Sequence, residues 1–594
     1  MRFRTLTHDF RKLARDSGVL YPEGRSTMKK LGSSLVSLFF ALIICPAVFG
    51  QASPERLQAI GARLAQIKAF GERMPASKRK VLSSGALNLL QLADKFDNEL
   101  RGLNRLQADS SIASEQPDLS APSQAADGVA RVSNPAQDVF SVLSGFTQSE
   151  THTAWCGNNV VVGFNDTGSA FESLVAKVGG LSGDGVARST NQGSSYTDLR
   201  FLNPGPNPFN FLAGDPVIGC TDANTFYYSS LFETGPPAAP ITAISVSKST
   251  DGGETFADPV EAVAKDGLTH LLDKDWMAVD PSNPLRIYVT YTDFDSSGVC
   301  GPPDRFTRVA IELVRSTDGG ATWSAPVVFN SLCSPASVPG LFVQGSQVTV
   351  DAAGNVYVAW EFFAANGITR EIRLRRSSNH GKSFGSRVKV SDVACSGDCF
   401  ALQGGFRAGL DLQSMAIDRS SAATKGSFYV AWHDSRFVQF PDLASPTGFY
   451  GYADAVVSFS RNGGASWSSP VRINQNVEPL ANGRGTDQYM PGIAVDNTGR
   501  VEACFDDRRL DPKNFFFDRF CAVSTNGGRN WTDSRQTKSS SPPFHATDTL
   551  LNPFYMGDYD GMASDFTGAN GGFVGAFQII NGRGDPNVFA VRLP

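Results

Sequence analysis

The chain has 594 residues, 41% hydrophobic and 19% charged, with a formal net charge of -5. That length exceeds one ordinary domain unless the fold is a repeat array or a large barrel, and the nearly balanced charge gives no electrostatic footing for a nucleic-acid partner. Gly (58) and Phe (42) are frequent, which suits tight turns and aromatic packing between sheets.

The first element is an address. Met28-Lys29-Lys30 precedes an apolar run from Leu35 to Ile44 and then small residues, the pattern of a secretory signal over 28–50 behind an upstream segment. The run is too short for a stable membrane span, so a secreted or periplasmic location is expected. Cys45 would leave with the signal. The other eight cysteines form an even set in an exported chain, which favours disulfides. The expected pairs are Cys395–Cys399, Cys300–Cys333 and Cys504–Cys521, with Cys156–Cys220 as the remainder.

Leu57, Ile60, Leu64, Ile67 and Phe70 recur at helical steps after Ser53-Pro54-Glu55, and a second run follows from Leu82 to Leu103. The spacing predicts a short α-helical extension over 51–107. Residues 108–136, rich in Ser, Ala, Pro and Asp, read as a flexible linker.

From 137 to 594 the chain repeats itself. "STDGGETF" at Ser249–Phe256 returns as "STDGGATW" at Ser316–Trp323, and the pattern generalises to Ser-x-Asp/Asn-x-Gly-x-Ser/Thr-aromatic. Further copies begin at Ser189, Ser377, Ser460 and Ser524, the last with Asn530 in the Ser/Thr position. A second pattern precedes most copies: a strand ending in Asp, a turn, and an alternating strand. "WMAVDPSNPLRIYVTYTD" (276–293) and "QVTVDAAGNVYVAWE" (347–361) are clear instances. Each unit therefore reads as two hairpins, A–B and then C–D around the eight-residue motif. Four-stranded units at a steady period predict an all-β propeller. The A–B hairpins start near 150, 215, 275, 346, 413, 490 and 560, which favours seven blades over six. The last unit runs out of chain, and "DVFSVLSGF" (138–146) is expected to supply its fourth strand.

The eight-residue motif resembles the Asp box of bacterial neuraminidase repeats, and the chain resembles secreted sialidase-like propellers. That resemblance implies a structural role for the motif, on the C–D turn. The chemistry agrees: Asp318 can accept from turn N–H groups, and Asn at 191, 379, 462 and 526 can do so without charge. A site is expected at the opposite end, where A strands begin and B strands end. Asp215, Lys274, Asp275, Trp276, Gln413, Gln488, Tyr489, Asp558, Tyr559 and Asp560 lie at A-strand starts, and His433, Asp434, Arg436, Asp507 and Arg508 at B-strand ends.

For a glycosidase, one carboxyl would serve as acid, Asp275 or Asp560. The sialidase resemblance implies a Tyr nucleophile, Tyr489 or Tyr559, and an arginine clamp drawing on Arg436 and on Arg508 or Arg509. It also implies an early Phe/Tyr-Arg-Ile-Pro motif, which is absent between 137 and 215. The expected partner is a glycan or glycoconjugate, bound or hydrolysed. The alternative is a non-catalytic module for a glycan or another surface protein. No cofactor is required. Asp293, Asp295 and Ser297, with Asp304 beyond them, match part of a calcium loop; no zinc pattern occurs.

Overall fold

The computed structural model describes residues 128–134, 148–176, 178–303, 305–338, 340–399, 401–403, 409–442, 445, 448–543, 556–580 and 586–594, and single positions 72 and 82. The signal, the linker up to 127 and most of the helical extension lie outside the described residues. Leu82 is fully buried in the same apolar cluster as Leu181 and Phe211.

Seven sheets follow one another, antiparallel except for one short parallel pair in the second, and each is a blade. Their innermost strands are Gln148–Cys156, Val217–Cys220, His270–Val279, Phe342–Val350, Ser414–Ile417, Gln488–Val495 and Met562–Ala563. These starts coincide with the seven A–B hairpins expected, so the ring is a seven-bladed propeller. Blades 1–7 are numbered in that order. Blade 2 adds two short strands, Leu181–Ser182 and Phe211–Leu212, at one edge.

B strands such as Phe226–Thr234 and Ile287–Asp295 are buried along their whole length, because each blade packs both faces against neighbours. Their sequences, FYYSSLFET and IYVTYTDFD, accordingly carry bulky apolar residues, Ser and Thr on both faces without an alternating charged face. Trp360 and Trp432 on B strands and Trp155 on an A strand are essentially inaccessible.

The ring closes through a different strand from the one expected. Val129–Arg131 pairs antiparallel with Pro586–Leu593 and completes blade 7; it lies within the stretch read as linker, and 135–147 is outside the described residues. Helix α1, Thr167–Ala176, is unforeseen. Asp166 caps it, accepting from Gly168 N (2.9 Å) and the Ser169 hydroxyl (2.7 Å). All four expected disulfides are present. Cys504 and Cys521 face each other across adjacent strands, and Cys156–Cys220 joins blades 1 and 2. No helix among the described residues is long and apolar enough to cross a membrane.

Candidate functional site at the channel mouth

The repeated motif closes each C–D turn by its own hydrogen bonds. In every copy the N–H of the fifth residue donates to the first Ser hydroxyl, as from Gly253 to Ser249 (2.9 Å) and from Gly320 to Ser316 (2.9 Å). Asp318 accepts from Thr322 N (2.9 Å) and from its hydroxyl (2.5 Å), which pull its carboxyl down to about 2. No group is left over for chemistry.

At the opposite face the A strands share a device with no sequence signature. In blades 1, 3, 4 and 6 the A–B ladder skips at Ser149/His152, Asp273/Trp276, Gln344/Gln347 and Tyr489/Gly492. Within each skip one residue takes a left-handed backbone: Glu150 (φ 51), Lys274 (φ 53), Gly345 (φ 65) and Met490 (φ 51). Asp215 of blade 2 does the same (φ 59). Such bulges re-aim side chains, and left-handed non-glycine residues persist only where the surroundings hold them. Gly345 is required besides for closeness, since a Cβ there would meet Leu412 Cδ2 at 2.5 Å. The bulges bring Lys274, Asp275, Ser346 and Pro491 into one pocket with Trp276, Gln347, Gln413, Tyr559 and Asp560. Beneath it a channel cavity of about 190 Å³ shares Trp276, Ser414 and Asp560.

One wall of the pocket is charged but saturated. Lys274 Nζ lies 3.0 Å from Glu150 Oε1 and 2.9 Å from Asp558 Oδ2, and 4.9 Å from the centre of the Tyr559 ring. Burial alone would lower its pKa, but Asp558, Glu150 and Asp215 hold it above its ordinary value. Asp215 is pushed up by burial and by Glu150, and its N–H donates to Asn165 Oδ1 (2.7 Å). Asp560 receives Arg519 Nη1 at 2.9 Å, and the same nitrogen donates to Asp506 (3.0 Å). Burial raises Asp560 against that pairing.

The other wall carries no cation, and the pocket before it is small, about 20 Å³. Burial drives the Asp275 carboxyl well above the carboxylate range, against the Ser229 hydroxyl that donates to its Oδ2 (2.5 Å). Asp275 Oδ1, Ser346 Oγ, Gln347 Oε1 and Gln413 Oε1 are buried without a hydrogen-bond partner. Buried polar atoms are rarely left so. The Trp276 ring, half-buried, stands edge-on to His152 (4.9 Å) and Tyr559 (5.5 Å).

The residues expected at the mouth divide. Lys274, Asp275, Trp276, Gln413, Asp558, Tyr559 and Asp560 line the pocket together, and Asp215 stands behind it through Lys274 N (3.3 Å). The Tyr559 hydroxyl donates to Pro216 O (3.2 Å), and burial raises its pKa, so it is not poised as an oxyanion.

Arg436 is not among the lining residues. It is held by Asp434 (2.8 and 2.6 Å) and by Asp392 O (2.7 Å). Arg508 is fully buried, donating to Asp487 (3.3 Å) and Asn514 O (3.1 Å) with Tyr489 beside it. Gln488 and Asp507 bond each other (3.2 Å), and Arg509 joins Asp507 (2.6 Å) to Asp533 (2.5 Å). His433 Nε2 lies 3.0 Å from Asp411 Oδ1.

Of the calcium residues expected, Asp293 and Asp295 do come together, with His270, their ligand atoms within 4.8 Å of one another. Asp293 already meets Lys265 (2.8 Å), Arg308 (2.9 Å) and His270 (2.9 Å), so its charge is spent on cations of the protein; Asp304 is outside the described residues. Ser346, Arg370 and Arg519 were not singled out from the sequence, whereas Gln347 falls at an A-strand entrance by register. The arginines sit on C strands, where only strand pairing is legible.

No family model matches the chain, and no curated protein matches it. Among solved structures it is similar to a polysaccharide lyase described as an ulvan lyase (TM-score 0.43, 10% identity, covering 76% of this chain and 95% of that one). A Hadza microbial sialidase gives 0.39 at 13% identity, covering 70% and 74%. An α-L-arabinofuranosidase from Fusarium graminearum gives 0.40 at 10%, covering 64% and 93%. The functional reading rests on the chain's own residues.

Proposed function

We propose that the channel mouth binds an uncharged sugar unit of a glycan outside the cytoplasm. The observation that carries this is the set of four buried, unpartnered polar atoms on Asp275, Ser346, Gln347 and Gln413 beside the half-buried Trp276 ring. An aromatic surface next to a few converging hydrogen-bonding groups suits a polyol, apolar on its ring face and hydroxylated at its edge. An acidic sugar suits it less, because Lys274, the cation among the lining residues, is already neutralised by Glu150 and Asp558. Four disulfides support an oxidising, secreted or periplasmic setting.

One observation favours a second, hydrolytic reading. Burial raises the Asp275 carboxyl well above its ordinary value and its Oδ1 is unpartnered in the pocket, the direction of shift a general acid needs. A panel of fluorogenic glycosides, sialosides included, tests both readings. Trp276→Ala is expected to weaken sugar binding by about tenfold or more. Turnover lost in Asp275→Asn with binding retained would establish hydrolysis. Binding without turnover leaves a recognition module, and unchanged binding in Trp276→Ala would sink the mouth proposal.

A further inference from the structure

The B–C hairpin of blade 5 departs from the other six blades. Its strands, Phe428–Pro441 and Phe449–Ser460, have 14 and 12 residues, and the excess projects at the same face as the mouth. Phe437 and Phe449 on this overhang are each 46% exposed, and Ile368 of blade 4 is 43% exposed. Between Ile368 and Phe449 runs a groove of about 370 Å³, lined by Ile368, Thr369, Asp392, Gln439 and Phe449 with Arg370 at its base. That volume is within the usual range of small-molecule clefts, ~300–1,000 Å³.

The groove has a built floor. The Cys395–Cys399 loop adds a bridge to the hairpin edge, with Gly397 N donating to Gly451 O (2.7 Å) and Gly451 N to Gly397 O (3.0 Å). Gly451 has no room for a side chain, since a Cβ would meet Ser435 Oγ at 2.4 Å. Arg370 is 1% exposed. It donates to Asp411 and to the carbonyls of Leu410 and Cys399, yet its Nε has no partner. Asp411 directly precedes Leu412 and Gln413, which line the mouth pocket, so the buried Arg370–Asp411 pair ties the groove floor to the segment that lines the mouth.

We infer that this groove holds further uncharged sugar units of the chain whose first unit occupies the mouth, making the ligand an oligo- or polysaccharide. The inference rests on the mouth reading. Phe449 and Ile368 offer apolar surface, and Thr369, Gln439 and Asp392 offer exposed hydrogen-bonding groups along the rim. This mixed lining, at the same face as the pocket, favours a sugar chain over an apolar protein segment.

The test is calorimetric titration of the full chain with cello-, xylo- and manno-oligosaccharides, each from monosaccharide to hexasaccharide. For a series that binds, affinity is expected to rise about tenfold with length. Phe449→Ala and Gln439→Ala should abolish that rise without changing monosaccharide affinity. A rise that persists in both variants, which would leave the groove to a protein partner, overturns the inference, as does wild-type affinity independent of length. If Trp276→Ala still binds long chains while Phe449→Ala does not, the mouth reading fails and the groove stands. No binding by wild type to any series overturns both.

Discussion

The C–D turns and the A-strand entrances lie at opposite faces of the same blades and obey opposite rules. In the turns the sequence repeats, and each side chain spends its hydrogen bonds on its own loop, as Asp318 does on Thr322. At the entrances the backbone repeats while the side chains differ. Glu150, Asp215, Lys274, Gly345 and Met490 share one left-handed conformation but differ in charge and size. A motif copied from blade to blade thus marks a local structural need. A conformation copied without its residue types marks a place where the ring builds one asymmetric site from several blades.

The largest expected effect comes from breaking the entrance side of this comparison. Lys274→Met would leave Glu150 and Asp558, both buried, without their shared cation. Removing one partner of such a pair typically costs about 3–5 kcal/mol. Urea denaturation should show that loss, and adding Glu150→Gln to Lys274→Met should recover part of it. A loss under about 1 kcal/mol would mean that the network is solvated and that the entrances are no more tightly built than the turns.

The same contrast governs what could be read in advance. Blade number and register were legible because Asp280, Asp351, Asp418 and Asp496 end their A strands at a steady period. The closing strand was not: Val129–Arg131 has three residues in a polar stretch, too few for alternation to register. Asp275, Trp276, Tyr559 and Asp560 could be placed at the mouth by register alone. Separating them from Arg436 and Arg508 could not be done that way. Whether an arginine faces a pocket or folds back onto Asp434 or Asp487 depends on side-chain geometry beyond the strand. The bulges were hidden because Glu, Lys and Met carry no signal for positive φ.

A second, smaller effect separates the two regions by pH. Burial raises Asp184, behind Asp275, to about 7, against donation from Ser230. Its folded pKa lies above its unfolded one, so its stabilising contribution is complete below about pH 4 and is lost as pH rises through 7. Wild type should therefore lose up to about 3 kcal/mol relative to Asp184→Asn between pH 5 and 8. Denaturation of both proteins across that window checks it. A constant difference would show that Asp184 is ionised throughout.

The turns should respond with the opposite sign and least of all. Asp318 is lowered to about 2 by the Thr322 hydroxyl and N–H, so its contribution is present above about pH 4 and is lost as pH falls through 2. Asp318→Asn imitates the copy at Asn379, which accepts from Ser383 N (2.9 Å) while its Nδ2 donates to the Ser383 hydroxyl (2.8 Å). The Thr322 hydroxyl can accept as readily as it donates, so thermal stability at neutral pH should be nearly unchanged and the acid-side decline should flatten. Sugar binding should not change at all, because the turn and the mouth are at opposite ends of the blade. A loss of binding in Asp318→Asn would contradict the division of the two faces more directly than any change at the mouth itself.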